Sequence, residues 1–236
     1  MREYLQRSAR LVGQEALDRL EHAKVAVFGI GGVGSYAAEA LARGGVGHLT
    51  LIDSDEIALS NLNRQLFATA DTVGEPKVEV AAKRLALAAP GVQVEARQMF
   101  FVPESEMDFS EYDYVLDCID SVSGKIELAV RCAAQGVPLI AAMGAGNKLD
   151  ASAFEVADLA KTSVCPLAKV MRTELRKRGI THLKVVYSQE PPIKLQPEAG
   201  ERRATPGSMS YVPGVMGMIM AGEVIKDLII KNKAFV

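Results

Sequence analysis

The stretch from Lys24 to Asp53 constrains the fold more than any other part of this 236-residue chain. An apolar run, Val25–Phe28, leads into a glycine-rich turn, and a second apolar run ends at Asp53. The turn contains four glycines, which are Gly29, Gly31, Gly32 and Gly34. Glycine lets the backbone turn tightly and approach a phosphate, and the first N–H groups of the following helix attract anions. The stretch therefore predicts a nucleotide-binding unit of strand, turn, helix and strand.

Strands and helices are predicted to alternate along the chain, which indicates a parallel sheet covered on both faces. The predicted strands are 25–28, 49–53, 92–101, 112–117, 139–143, 154–157 and 184–188, and the predicted helices are 1–23, 32–43, 77–89, 125–135, 166–178 and 215–230. We expect an α/β fold with a Rossmann-like, mostly parallel sheet, helices on both faces and a smaller C-terminal α+β extension. Residues 1–236 are predicted to form one domain, with a nucleotide-binding half at about 1–145 and a substrate-facing half at about 146–236.

Composition excludes several classes of protein. No run of about 18 or more apolar residues occurs, so no membrane span is expected. The N-terminal Met1–Tyr4 lacks an apolar signal core, which favours a cytoplasmic location. The three cysteines, Cys118, Cys132 and Cys165, include no C-x-x-C pair. One chain therefore cannot form a four-cysteine zinc site, and no zinc is expected.

Charge is distributed unevenly along the chain. Residues 161–203 contain 10 Lys/Arg and 4 Asp/Glu, a net charge of +6, so the other residues carry −8 of the total of −2. This asymmetry allows a basic surface for a polyanion, although a solvated helix face beside a charged loop would give the same pattern. Residues 190–207 hold four prolines and two glycines. They exceed the usual length of a connection, which predicts a loop that is functional or mobile.

Two acids and two cations follow the second predicted strand. Asp53 and Asp55 lie two apart in an extended chain, so both can face one side and are candidates for binding a ribose. Arg64 and Lys77 come next. Attack on an α-phosphate uses such cations, because charge builds on the phosphoryl oxygens and the departing pyrophosphate. The alternatives are a surface lysine at a helix end and an arginine paired with a nearby acid.

Asp120 follows the predicted strand 112–117, at the edge where open α/β sheets hold their ligands. A carboxylate there suits Mg²⁺, which in ATP sites takes one or two carboxylates plus phosphate oxygens. Cys118 lies beside it and is predicted to be a small buried residue rather than a nucleophile, because free cysteine is commonly buried.

Five ordered motifs resemble those of the ubiquitin-activating-like adenylyltransferases. That group includes the bacterial enzymes that activate sulfur-carrier proteins for thiamin and molybdopterin synthesis. The motifs are Gly29-x-Gly31-Gly32-x-Gly34-Ser35, Asp53-x-Asp55, Ser60-Asn61-Leu62-Asn63-Arg64-Gln65, Gly74-x-Pro76-Lys77 and Asp117-Cys118-x-Asp120. The resemblance implies ATP and Mg²⁺ as cofactors, adenylation of a carboxylate, and a homodimer.

The same resemblance implies roles for individual residues. The ATP site would be lined by Gly34, Asp55, Ser60, Asn61, Arg64, Lys77, Asp120 and Ser121. Asp55 would hold the ribose, Arg64 and Lys77 the phosphates, and Asp120 the metal. In this family an N-terminal arginine reaches into the partner subunit's site, and Arg10 is the better match, with Arg7 second. Arg64, Lys77, Asp120 and Arg10 are the predicted catalytic residues.

Departures from the common pattern indicate the branch. Activators of sulfur carriers usually have two C-x-x-C pairs for zinc, which this chain lacks. Residues 158–162, 166–168, 185–190 and 207–213 are instead similar to the tRNA threonylcarbamoyladenosine dehydratases. These enzymes adenylate the threonyl carboxylate of a modified adenosine next to the anticodon, and ring closure then expels AMP. The resemblance implies tRNA as the substrate, with the basic 161–203 segment toward it, and leaves room for a sulfur-transfer protein as a partner.

The sequence features leave three functions open. The first is the tRNA dehydratase, the second is an adenylyltransferase for the C-terminal glycine of a sulfur-carrier or ubiquitin-like protein, and the third is an NAD-dependent oxidoreductase or non-catalytic nucleotide-binding module. A tRNA reader offers aromatic platforms for unstacked bases, and Tyr187 and Tyr211 are candidates. Cys165 precedes a predicted helix start, where it could be a thioester-forming nucleophile or a packed cysteine. Dehydratase chemistry requires no thioester, so we expect it to be packed.

Overall fold

Seven strands form one sheet in the computed structural model, which describes residues 3–197 and 204–230. The strands are β1 (Lys24–Phe28), β2 (His48–Asp53), β3 (Gln93–Gln98), β4 (Tyr114–Asp117), β5 (Leu139–Ala142), β6 (Phe154–Asp158) and β7 (Lys184–Ser188). Their order across the sheet is β3-β2-β1-β4-β5-β7-β6. Every pairing is parallel except that of β6 with β7.

Seven helices cover the sheet. They are α1 (Gln6–Val12), α2 (Gln14–His22), α3 (Gly34–Gly44), α4 (Lys77–Ala88), α5 (Val122–Gln135), α6 (Pro166–Arg176) and α7 (Val212–Ile229). One hydrophobic core joins the sheet to residues of α2, α3, α4 and α7, and a second core joins its other face to α5 and α6. None of these helices, within the described residues, has both the length and the apolar character of a membrane span.

The central strand β1 shows how the apolar pattern produces this arrangement. Val25 and Val27 point into the first core, whereas Ala26 and Phe28 point into the second. Successive side chains of a strand lie on opposite faces, so an uninterrupted apolar run is stable only where both faces are covered. The Val25–Phe28 run therefore predicts a central strand.

The helices α3 and α7 pack closely because α7 has glycines on the contact surface. A Cβ added to Gly217 would lie 2.2 Å from the carbonyl oxygen of Val33, and one added to Gly214 would lie 3.1 Å from the Tyr36 ring. These glycines place α7 directly against the helix that begins at the glycine turn.

The predicted fold class is confirmed, and the structure refines several of the predicted elements. The C-terminal extension continues the same sheet, with β7 parallel to β5 and β6 antiparallel at the edge. The predicted 1–23 helix is broken at Gly13, whose φ of +83° lies in the left-handed region that favours glycine. Helix α5 begins before Lys125 because the Ser121 hydroxyl caps it by accepting a hydrogen bond from the Gly124 N–H. Residues 1–2 of the predicted N-terminal helix and residues 198–203 of the predicted 190–207 loop lie outside the described residues.

Candidate active site

The candidate site lies between β1 and β4, where the strand order reverses direction across the sheet. From β1 the chain continues to β2 on one side of the sheet, and from β4 it continues to β5 on the other side. The loops after the two strands diverge at such a point and leave a crevice at the carboxyl ends of the strands, which is where open α/β sheets bind ligands. The glycine turn follows β1, and Asp120 follows β4, so the two predicted motifs flank the same crevice.

The glycine turn is packed so closely that its outer two glycines cannot carry side chains. A Cβ on Gly34 would lie 1.8 Å from the carbonyl oxygen of Gly29. A Cβ on Gly29 would lie 2.8 Å from the Cys118 carbonyl carbon, and Gly29 has a φ of +86°. The turn therefore lies against the β4 end, with the N-terminus of α3 directed at the crevice. Free N–H groups and the positive end of the helix dipole make this end an anion site.

The carboxylate of Asp53 fixes the turn from the neighbouring strand. Its Oδ2 accepts a hydrogen bond from the Ile30 N–H at 2.6 Å, and its Oδ1 accepts one from the Asp55 N–H at 2.9 Å. Both oxygens therefore already bind backbone. Of the two acids predicted to hold a ribose, the exposed Asp55 is the one whose position favours that role.

Lys77 and Asp55 form one unit. The Lys77 Nζ lies 2.7 Å from the Asp55 Oδ2, and the lysine side chain is 8% exposed against 63% for the aspartate. Lys77 also begins α4, where its N–H donates to the Asp55 carbonyl oxygen. An ammonium has three donors, so the pair leaves the lysine with donors for a second acceptor such as a phosphate oxygen. The predicted alternative of a surface lysine at the helix end is inconsistent with this burial.

Arg64 lies against the glycine turn. A Cβ added to Gly32 would lie 3.5 Å from the Arg64 Cγ. The guanidinium donates from Nη1 to the Ser60 carbonyl oxygen and to the Asn63 Oδ1, both at 2.9 Å. No carboxylate in the described residues forms an ion pair with Arg64, so its charge is available to an anionic ligand. The buried Asn61 shapes this segment, since its Oδ1 accepts from the Ala58 N–H at 3.0 Å.

Asp120 and Ser121 occupy the opposite wall. Asp120 is exposed, and among the described residues no hydrogen bond or ion pair engages its carboxylate. No group of three or more His, Cys, Asp or Glu in the part of the chain that the structure describes could hold a metal alone. A single free carboxylate fits a Mg²⁺ ion that is coordinated mainly by nucleotide phosphates and water. Ser121 is the N-cap residue of α5, so it lies next to Asp120 at the point where the helix begins.

A buried ion pair beneath this wall was missed from the sequence. Lys125 Nζ lies 2.8 Å from Asp117 Oδ1, and the two side chains are 1% and 0% exposed. Burial raises the pKa of Asp117, and the ammonium opposes that shift. The sequence does contain a signal, because Lys125 precedes the buried Leu128, Ala129 and Cys132 at helical spacing and so lies on the core face of α5.

The segment 206–213, most of which belongs to one of the sequence motifs, runs beside Arg64 and the glycine turn, a position that the sequence did not indicate. The Ser208 carbonyl oxygen accepts from Asn63 Nδ2 at 3.0 Å. A Cβ on Gly32 would lie 3.1 Å from the Pro213 Cγ. Asn147, in the loop after β5, accepts from the Gly207 N–H at 2.6 Å and supports the segment from the other side. No local pattern indicates contacts between residues so far apart in the chain.

Other candidate residues lie elsewhere. Arg10 is exposed on α1 and contacts none of the site residues within the described part of this subunit. Tyr187 is buried, with its hydroxyl donating to Glu155. Cys165 is also buried, as predicted for a packed cysteine. Burial raises the pKa of Cys118, which disfavours the thiolate that a nucleophile requires.

Comparison with known proteins identifies the family. Residues 5–235 match the model of the ThiF family. The chain belongs to the ThiF family. The resemblance drawn from the five motifs is therefore confirmed.

Individual members of the ThiF family extend this result. The chain is 44% identical over 237 residues to the tRNA threonylcarbamoyladenosine dehydratase of Bacillus subtilis (strain 168), covering 94% of this chain and 93% of that protein. It is 37% identical over 225 residues to the sulfur carrier protein ThiS adenylyltransferase of Escherichia coli (strain K12), covering 92% of this chain and 78% of that protein.

Solved structures show the same relationship. The E. coli tRNA N6-threonylcarbamoyladenosine dehydratase TcdA, crystallised with AMP, has a TM-score of 0.88 and 35% identity, covering 96% of this chain and 94% of that one. The same enzyme crystallised with ATP has a TM-score of 0.87 at the same identity and coverage. The fold, including its C-terminal strands, is therefore shared along nearly the whole length of both chains.

The buried pair under the crevice yields a stability prediction. Replacing Lys125 by Met leaves the Asp117 carboxylate buried without its partner, which should lower the free energy of unfolding by about 3–5 kcal/mol. The double variant Lys125→Met/Asp117→Leu removes both charges and should recover most of that loss. Urea unfolding at one protein concentration measures both effects.

The matched control is Lys83→Met, because Lys83 pairs with Glu75 on the surface. The Lys83→Met substitution should lower the free energy of unfolding by no more than about 1 kcal/mol, as for other exposed ion pairs. A Lys125→Met protein as stable as the control would show that the buried pair does not hold the β4–α5 junction.

Proposed function

We propose that this protein is an ATP-dependent tRNA threonylcarbamoyladenosine dehydratase. It would activate the threonyl carboxylate of the modified adenosine by adenylation and then cyclise it. The observation that carries the proposal is the position of Arg64, whose stem lies against Gly32 of the nucleotide turn and whose guanidinium has no carboxylate partner among the described residues. A fixed cation at the phosphate end serves pyrophosphate displacement, whereas hydride transfer has no use for it.

The bond changes follow from this arrangement. A threonyl carboxylate oxygen attacks the α-phosphorus of ATP, and the bond to pyrophosphate breaks. The α3 N-terminus holds the phosphates in place, while Arg64 and Lys77 balance the charge that develops on the leaving group. Mg²⁺ bound to ATP would be held by Asp120 and would neutralise phosphate charge. A nitrogen or oxygen of the same substrate then attacks the activated carbonyl carbon, loses its proton, and expels AMP.

We propose that the tRNA binds a basic surface formed by the 161–203 segment. This surface offers less free positive charge than the net charge of +6 suggests, because some of its cations have partners within the fold. Arg172 donates to the carbonyl oxygens of Leu159 and Thr162, and Lys184 binds Glu223 and Asp227. Lys161, Lys169 and Arg176 remain exposed and form no ion pair within the described residues. Lys169 and Arg176 lie seven residues apart on α6 and so share a face. Arg202 and Arg203 lie outside the described residues.

The decisive experiment is an ATP–pyrophosphate exchange assay with three additions: threonylcarbamoylated tRNA, the same tRNA without the modification, and a small protein ending in glycine. Exchange that requires the modified tRNA is expected, together with AMP release. Exchange that requires the small protein would favour the second function, which the 37% identity to the sulfur carrier protein adenylyltransferase makes the leading alternative. Absence of any response to tRNA would contradict the proposal.

Variants in the same assay test the residue assignments. Arg64→Ala and Asp120→Ala should each lower modified-tRNA turnover by at least about 100-fold, because each removes charge stabilisation at the phosphates. Cys165→Ala should stay within about threefold of the wild type, since the proposed chemistry has no thioester. A folded Cys165→Ala protein that binds ATP but does not turn over would overturn the thioester-free mechanism.

We further propose that the enzyme is a cytoplasmic homodimer in which Arg10 acts in the partner's site. Arg10→Ala and Arg64→Ala proteins should each be nearly inactive. Mixed under conditions that exchange subunits, they should form some dimers with one intact site and recover about one quarter of wild-type activity. Steady-state turnover before and after mixing checks this, and unmixed samples are the control. No recovery, with subunit exchange verified by mass, would place Arg10 in its own subunit's site or outside catalysis.

A further inference from the structure

The segment 206–213 places one aromatic side chain at the rim of the crevice. Ser208 contacts Asn63 beside the phosphate-end cation, and Pro213 lies against Gly32. Tyr211 falls between these two contacts and immediately precedes α7. The residue three positions before the tyrosine and the residue two positions after it thus contact the candidate site, which restrains the backbone that carries the ring.

The Tyr211 side chain is restrained at its hydroxyl, and the residue remains accessible to solvent. Its hydroxyl donates to the Leu149 carbonyl oxygen at 2.7 Å, yet the residue is 45% exposed. A hydrogen bond at the far end of an exposed side chain restricts its rotation. A ring held in this way loses little conformational entropy when a flat ligand covers it.

Two apolar residues linked to the tyrosine, one by this hydrogen bond and one by the chain, are also exposed. Leu149 is 54% exposed, and Met209, two residues before the tyrosine, is 45% exposed. Apolar side chains left open beside a fixed aromatic ring are typical of a binding surface for a flat, partly apolar group. Tyr187, the other tyrosine that the sequence suggested, is 3% exposed and cannot serve in this way.

We propose that Tyr211 is a specificity-determining residue that stacks against an unstacked base of the tRNA substrate. The inference rests on the proposed function. Single-stranded RNA is read by aromatic side chains that stack on splayed bases, and each such contact strengthens binding by about tenfold or more. The ring lies on the segment that borders the phosphate end of the crevice, so a base stacked there keeps its attached carboxylate near the nucleotide.

The test compares two substitutions in the full-length enzyme. Tyr211→Leu keeps an apolar side chain but removes the aromatic face, and it should raise KM for the modified tRNA by about tenfold or more. Tyr211→Phe keeps the face and loses only the hydroxyl, and it should change that KM by less than about threefold. The Kd for ATP, measured by calorimetry without tRNA, should be the same in both variants and the wild type.

Several outcomes would overturn the inference. An unchanged KM in Tyr211→Leu would exclude stacking, and equal losses in both variants would assign the effect to the hydroxyl tether. Dissociation of the Tyr211→Leu oligomer, seen by light scattering, would identify the residue as a subunit contact. These results test Tyr211 alone. A failure of the proposed function would be recognised separately, because pyrophosphate exchange by the wild-type protein would then not respond to modified tRNA.

Discussion

The candidate site depends on the buried pair between Asp117 and Lys125. It joins the last residue of β4 to the first turn of α5, and the Cys118–Ile119 peptide between them is the one against which Gly29 packs. Asp120 is carried on the same short connection. The buried pair thus lies at the base of the connection that both contacts the glycine turn and carries Asp120. Such a pair is costly to bury, and our hypothesis is that it contributes to the fixed geometry of the crevice more than to net stability.

The sequence predicted the parts of the site that are local in the chain. Glycine spacing predicted the tight turn after β1, where no side chain fits at Gly29 or Gly34. Arg64, Lys77 and Asp120 were found because cations and an acid follow strand ends at recognisable intervals. Asp53 has a structural role that the sequence did not indicate. Its place at a strand end suggested ribose binding, whereas its two oxygens bind backbone N–H groups that only the folded turn brings to it.

Contacts across long sequence separations were not predictable. Asn63 meets Ser208, and Asn147 meets Gly207, through hydrogen bonds that depend on how the loops cross above the sheet. Polar loop residues of this kind are common in any chain, so their pairing carries no periodic signal.

The basic segment 161–203 also differs from what its sequence suggests. Its formal charge was counted correctly, but Arg172 and Lys184 use their charges inside the domain, and net charge therefore overstates the surface available to a polyanion.

The contact between α3 and α7 has a consequence for synthesis on the ribosome. Helix α3 begins at the glycine turn, whereas α7 and its glycines are made much later than α3. Until Gly217 reaches Val33, the apolar side of α3 has no cover from α7 and the turn lacks Pro213 beside it. A nascent chain that lacks α7 therefore has a sheet with one face only partly covered, by α2, α3 and α4. Contacts of such high sequence separation form late, because the intervening loop must close before they contribute. The candidate site is thus encoded early in this order and completed only when α7 packs against α3.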